Sequence, residues 1–263
     1  MSYYKAGYGY NVMITFHGFG QDNAIFDKHI ESLSDHFTIY SIDLFFHGKS
    51  RWPEPETPMS KEFWLGFMKA FIAKHRLFFI SLMGYSLGGK FVLATVEAVP
   101  ERIIAVYMIA PDGIRTNFWY GLATSRAFMR NLFKSLIRNP RLFEILASTA
   151  IRFNLLDKSL TRFAQTQMDT EEKRKRVYYC WTVFRHLKFD LEKISFLLNV
   201  REINITIVIG QYDKVITLRD TRGLLRKLND YKLEILQTGH NGMIDESLSI
   251  WNKIKWKEAT KSS

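Results

Sequence analysis

A chain of 263 residues, 47% hydrophobic and 24% charged, has globular composition: enough apolar material for one large α/β domain or two smaller ones, and too much for whole-chain disorder. No apolar run reaches about 18 residues and no hydrophobic leader opens the chain, so neither export nor a membrane span is predicted, and the single Cys180 excludes an internal disulfide and has no companions at metal-ligand spacing. The expectation is a cytoplasmic protein, and a net charge of +11 directs attention to anionic partners.

The first apolar run, Asn11 to Phe16, reads as a buried strand. It ends on His17-Gly18-Phe19-Gly20, whose glycines allow a tight turn and leave the Phe19 N–H free to point into a cleft. A modest amphipathic helix over 24–33 and a strand over 37–43 follow, then the loop Leu44 to Ser50 and a proline-rich connection from Trp52 to Pro58. Ser60 is a plausible N-cap for a helix over 61–74, whose Phe63, Trp64, Phe67 and Phe71 fall at helical spacing and read as core. Phe78 to Met83 reads as a short buried strand and Gly88 to Ala98 as a helix.

Between these last two lies Gly84-Tyr85-Ser86-Leu87-Gly88. A serine on a sharp strand-to-helix turn needs small neighbours, because its own backbone is strained and the flanking chains pass close by. The five residues alone fit a glycine-rich turn with a solvated serine equally well, so partners must decide whether Ser86 is a nucleophile.

Downstream, Ile103 to Ile109 is another continuous apolar strand, and strands alternating with helices over short connections imply a parallel sheet covered on both faces. The strand signal then vanishes. Leu132, Phe133, Leu136 and Ile137, and beyond Pro140 the residues Leu142, Phe143, Leu146, Ala150 and Ile151, recur at helical spacing, as amphipathic helices broken at the proline. The predicted organisation is a core over 1–113, a helical cap inserted over 114–200, and the rest of the core over 201–263. The insertion holds 16 Lys and Arg against 7 Asp and Glu, so its net +9 accounts for most of the chain's +11. Strands return over 203–209, ending on Gly210-Gln211-Tyr212-Asp213, and over 232–236, ending on Thr238-Gly239-His240; a helix over 218–228 lies between them. A helix containing a tryptophan and a polar tail close the sequence.

Ser86, Asp213, His240 and the His17-Gly18-Phe19 turn all lie just past the ends of strands predicted to be parallel, where ligands bind in open α/β sheets. The order nucleophile, acid, histidine distinguishes this arrangement from other known triad orders. On these segments, together with Asp43 and Gly48-Lys49-Ser50, the sequence resembles the α/β-hydrolase superfamily over nearly its full length. The resemblance implies Ser86 as nucleophile, His240 as general base, Asp213 as the residue orienting it, and the Phe19 and Leu87 N–H groups as oxyanion donors. Serine at the elbow argues for ester or thioester chemistry rather than the dehalogenase or epoxide hydrolase branches. Within the superfamily the likeness is to capped carboxylesterases such as the pimeloyl carrier-protein methyl ester esterases. That implies a small acyl ester or thioester substrate, and the basic insertion fits two readings: an anionic carrier such as acyl carrier protein or coenzyme A bearing the acyl group, or a charge that only keeps an apolar lid soluble.

One residue departs from the pattern. Relatives carry a glycine two positions before Gly48, where this chain has Phe46, so the turn is expected to be reshaped. Among rivals, Asp112 is an alternative acid, as in some lipases. His17 and His47 read as loop-shaping residues, His29, His36, His75 and His186 as ordinary histidines, Asp43 as an anchor of its turn, and Glu171 to Arg176 as a solvated helix face with i to i+4 pairs. The same triad could serve an acyltransferase or a C–C bond hydrolase, and the fold could serve as a non-catalytic binding protein. No metal, organic cofactor or nucleic-acid motif has support in the sequence.

Overall fold

The computed structural model describes residues 1–54, 56–115, 118–139, 141, 145 and 166–253. They fall into two compact units: the first is built from Met1–Arg51, Ser60–Arg115 and the chain from Leu187 onward, the second from Trp52–Met59 and Thr116–His186.

The first unit is organised by a seven-stranded sheet in the order β1-β3-β2-β4-β5-β6-β7. The strands are β1 (Tyr3–Ala6), β2 (Asn11–Phe16), β3 (Phe37–Ile42), β4 (Ile80–Tyr85), β5 (Ile103–Ile109), β6 (Asn204–Gly210) and β7 (Lys232–Leu236). All pairings are parallel except β1 with β3. The unbroken apolar run of β5 and the complete burial of β4, whose small Ser81 and Gly84 sit among Ile80, Leu82 and Met83, suit strands covered on both faces. On one face, Met13, Met83, Tyr107 and Val208 pack with Phe26, Ile30, Ile244 and Trp251, residues from around α1 (Asp27–Leu33) and from the last described helix, Met243–Trp251. Elsewhere in the core, Trp64 of α2 (Lys61–His75) and Phe91 of α3 (Leu87–Ala98) close on Phe16 with ring centroids 5.0–6.1 Å apart. Each such large apolar side chain contributes about 1.5–3 kcal/mol by leaving water. Ser60 caps α2 as its sequence suggests, accepting from the Phe63 N–H at 3.1 Å.

The elements differ from the sequence reading in three places. β1 was not foreseen. β4 starts at Ile80 rather than Phe78 and runs on to Tyr85, leaving Phe78 and Phe79 exposed. The helix Leu191–Val200, inside the stretch read as an insertion, groups with the first unit. It buries Ile194 and Leu198, and Lys193 pairs with Glu97 of α3 at 2.8 Å.

The second unit contains α4 (Phe118–Ser125), α5 (Ala127–Arg138) and α6 (Glu171–Val183). Trp181 stacks on Phe133 with centroids 5.2 Å apart and meets Tyr120 edge-on, forming a half-buried aromatic cluster. The Arg174 guanidinium donates to the Ile137 carbonyl at 3.0 Å, satisfying an end of α5 that the helix leaves open. Trp52–Met59 joins this unit through the Met59 N–H to Val183 carbonyl bond and an ion pair between Lys134 and Glu56. The pairs Glu171–Lys175 and Glu172–Arg176 lie on the exposed face of α6, as the sequence suggests. The residues beyond Pro140 that were read as a further helix, Leu142, Phe143, Leu146, Ala150 and Ile151, lie outside the described residues, as does most of the C-terminal tail. Among the described residues, no helix is long and apolar enough to cross a membrane.

Candidate active site

Four parallel strands, β2, β4, β6 and β7, deliver His17-Gly18-Phe19, Ser86, Asp213 and His240 from their carboxyl ends to one edge of the sheet. Ser86 turns the chain from β4 into α3 with φ 50° and ψ −114°, a conformation costing about 1–3 kcal/mol. The surroundings hold it there: its N–H donates to the Ile109 carbonyl at 2.9 Å, and its carbonyl accepts from Gly89 at 2.9 Å and Asp112 at 2.8 Å. The flanking glycines are required sterically. A Cβ on Gly88 would lie 1.9 Å from the Phe16 carbonyl oxygen, and one on Gly84 2.6 Å from Val92.

The half-buried Ser86 hydroxyl lies 3.0 Å from His240 Nε2, and His240 Nδ1 lies 2.7 Å from Asp213 Oδ2. Asp213 is buried, and its other oxygen accepts the Val215 and Ile216 N–H groups at 2.7 and 2.9 Å. A carboxylate so held presents one oxygen to the ring, which fixes the proton on Nδ1 and leaves the Nε2 lone pair for the serine. The Leu87 N–H heads α3, where no intrahelical acceptor exists. Among the described residues neither it nor the Phe19 N–H has a protein acceptor.

Tyr85, which the sequence does not single out, contacts His240 twice. Its hydroxyl donates to the His240 carbonyl at 2.8 Å and its ring stacks on the imidazole, centroids 5.4 Å apart. Burial, and secondarily Asp213, push its phenol well above the usual tyrosine range, so it remains a neutral donor. The only signal in the sequence is an aromatic beside the serine.

Asp112, the rival acid, pairs instead with the buried Lys90 at 3.2 Å and accepts the Gly113 N–H at 2.7 Å. Asp43 anchors its turn, accepting from Asn23 twice and from the Lys49 N–H. The turn at Phe46 is not reshaped to avoid a left-handed residue: Phe46 takes φ 69°, and the strain is absorbed in a turn closed by the His47 N–H to Leu44 carbonyl and Ser50 N–H to His47 carbonyl bonds. Among the described residues, no group of three His, Cys, Asp or Glu is placed to hold a metal ion.

The α/β hydrolase fold family matches residues 11–247, which include the elbow and both of its partners. The chain belongs to the α/β hydrolase fold family. A pimeloyl-[acyl-carrier protein] methyl ester esterase from Nitrosomonas europaea is 30% identical over 125 residues, 46% of this chain and 47% of that protein. A dihydrolipoyllysine-residue acetyltransferase component of an acetoin cleaving system from Cupriavidus necator is 23% identical over 129 residues, 48% of this chain and 34% of that protein. The chain thus matches half or less of the length of these curated relatives. Among solved structures, an esterase from Thermogutta terrifontis shares the fold with a TM-score of 0.67 at 15% identity, covering 95% of this chain and 89% of its own.

Proposed function

We propose that this α/β-hydrolase is a serine esterase or thioesterase acting through an acyl-enzyme on Ser86. The observation that carries the reading is the unbroken hydrogen-bond chain from Asp213 through His240 to the Ser86 hydroxyl. A serine hydroxyl is a poor nucleophile until a base takes its proton. His240 Nε2 accepts that proton as Ser86 Oγ attacks the acyl carbonyl, and Asp213 stabilises the imidazolium and its orientation. The carbonyl oxygen, now an anion, is met by the Phe19 and Leu87 N–H groups, each such donor being worth about 3–4 kcal/mol. When the tetrahedral intermediate collapses, the alcohol or thiol leaves with the proton from His240. Water then gives a proton to His240 as it attacks the acyl carbon, and when that second intermediate collapses the bond to Ser86 Oγ breaks, His240 returns the proton to Oγ, and the carboxylic acid leaves.

Fluorophosphonate labelling and hydrolysis of p-nitrophenyl esters from C2 to C12 test the reading. Both should be present in the native chain and lost in Ser86→Ala. A folded native chain that neither labels nor turns over would leave the fold serving as a binding protein. An added alcohol or amine that diverts the acyl group from water would make the protein an acyltransferase.

A finer reading concerns the substrate. The net +9 over 114–200 and the carrier-protein ester in the name of one relative both favour an acyl group presented on an anionic carrier, with the helical insertion setting acyl selectivity.

A further inference from the structure

The loop carrying Phe19 is held by two histidines that the proposed chemistry does not itself use. His17 is fully buried and His47 nearly so, at 0% and 2% exposure, with ring centroids 5.0 Å apart. His17 Nε2 accepts the Leu44 N–H at 2.9 Å, in the turn that carries His47. His47 Nε2 accepts the Gly20 N–H at 3.0 Å, in the loop that carries Phe19. A backbone N–H only donates, so both Nε2 atoms must bear lone pairs. Their Nδ1 atoms lie 2.7 Å from the Gly18 carbonyl and 3.0 Å from the Phe45 carbonyl. A carbonyl only accepts, so both Nδ1 atoms must bear the proton. Each ring is therefore a neutral Nδ1–H tautomer that stitches the two loops together, one in each direction.

The Gly18 carbonyl is the acceptor with consequences for the chemistry. It belongs to the same planar peptide unit as the Phe19 N–H, and in a trans peptide the two point in opposite directions. Fixing the oxygen fixes the hydrogen. We propose that His17 and His47 are positioning residues that prevent the Gly18–Phe19 peptide from flipping, and so keep the Phe19 N–H aimed where an oxyanion forms. His17 grips the peptide itself. His47 secures the next N–H along, at Gly20, and its turn holds His17 in place. The Gln21 side chain supports the same loop by accepting the Gly18 N–H at 3.0 Å.

This inference rests on the serine-hydrolase reading for its kinetic readout but not for its structural one. In two-bond proton–nitrogen spectra of chain labelled at histidine with nitrogen-15, both rings should show the neutral Nδ1–H pattern at pH 7. An Nε2–H or imidazolium pattern at either overturns the lock, whether or not the protein turns over any ester. In kinetics on p-nitrophenyl esters, His17→Leu should lower kcat by about a hundredfold with KM within about threefold, as expected when an oxyanion donor is lost. His17→Asn places an amide N–H where Nδ1–H was and should recover most of that loss. His47→Gln keeps an acceptor for Gly20 and should be milder than His47→Leu. Rates are taken per active site titrated with the fluorophosphonate, so a misfolded fraction does not count. A His17→Leu chain with native kcat per titrated site, or no rescue by Asn, overturns the proposal. A native chain that fails to label speaks against the serine-hydrolase reading and leaves the tautomer measurement to decide the lock.

Discussion

Tyr85 precedes the serine by one residue, yet its hydroxyl meets the carbonyl of a histidine 155 positions away. It couples the elbow to His240: the chain that fixes Ser86 also supplies a ring under the imidazole and an anchor for its backbone. Tyr85→Phe keeps the ring and removes the anchor, leaving the His240 carbonyl with the Met243 N–H alone. The expected outcome is a loss of about 1–2 kcal/mol in denaturant unfolding, with kcat reduced by less than about tenfold and KM unchanged. A Tyr85→Phe chain as stable as the native one would mean the hydroxyl anchors nothing. No pattern in the sequence reveals this contact, because it joins two strand ends that only the sheet brings together. The elbow itself is legible, since glycines flanking a serine after an apolar run are a local signal. The same holds for His17-Gly18. The reciprocity of His17 and His47 is not, because each accepts from a backbone N–H in the other's loop.

At the scale of elements, α1 packs on the helix Met243–Trp251 through a buried histidine. His29 Nε2 lies 3.0 Å from the Ser247 hydroxyl, while its Nδ1 is buried without a partner among the described residues. Burial lowers its pKa from 6.5 to about 4, with Asp245 pulling upward and Lys28 downward. The native state thus prefers the neutral ring, whereas the unfolded chain takes up a proton near pH 6.5. The stability this represents is present above 6.5 and lost as pH falls toward 4, by up to about 3 kcal/mol. Urea unfolding between pH 7 and 4.5 should show that decline, and His29→Gln should flatten it by a comparable amount. An unchanged slope would place His29's titration elsewhere. Sequence periodicity located both of these helices but assigned no partner to either. It overlooked β1 for a similar reason: four residues with Tyr4 and Lys5 exposed show no buried run, and only antiparallel pairing with β3 makes them a strand.

For the whole molecule, the alternation of strands and helices is legible because parallel strands covered on both faces are written as unbroken apolar runs. The allegiance of Leu191–Val200 is not, since an amphipathic helix reads alike whichever body it covers. Charge distribution carries the remaining prediction. If the basic insertion meets an anionic carrier, raising ionic strength from about 0.05 to 0.5 M should raise KM for a carrier-linked ester about tenfold and leave p-nitrophenyl acetate within about twofold. Equal responses from the two substrates would remove the carrier from the proposal.

β5 ends at Ile109 and its sheet neighbour β6 begins at Asn204. Bringing those two strands together closes the longest loop between adjacent strands in the sheet, an entropic cost met before any pairing between them is gained. Ser86, Phe19 and Leu87 precede that loop, whereas Asp213 and His240 follow it. A nascent chain that has emerged from the ribosome only through the insertion carries Ser86 without Asp213 or His240, so on the proposed mechanism it cannot turn over an ester until His240 has followed.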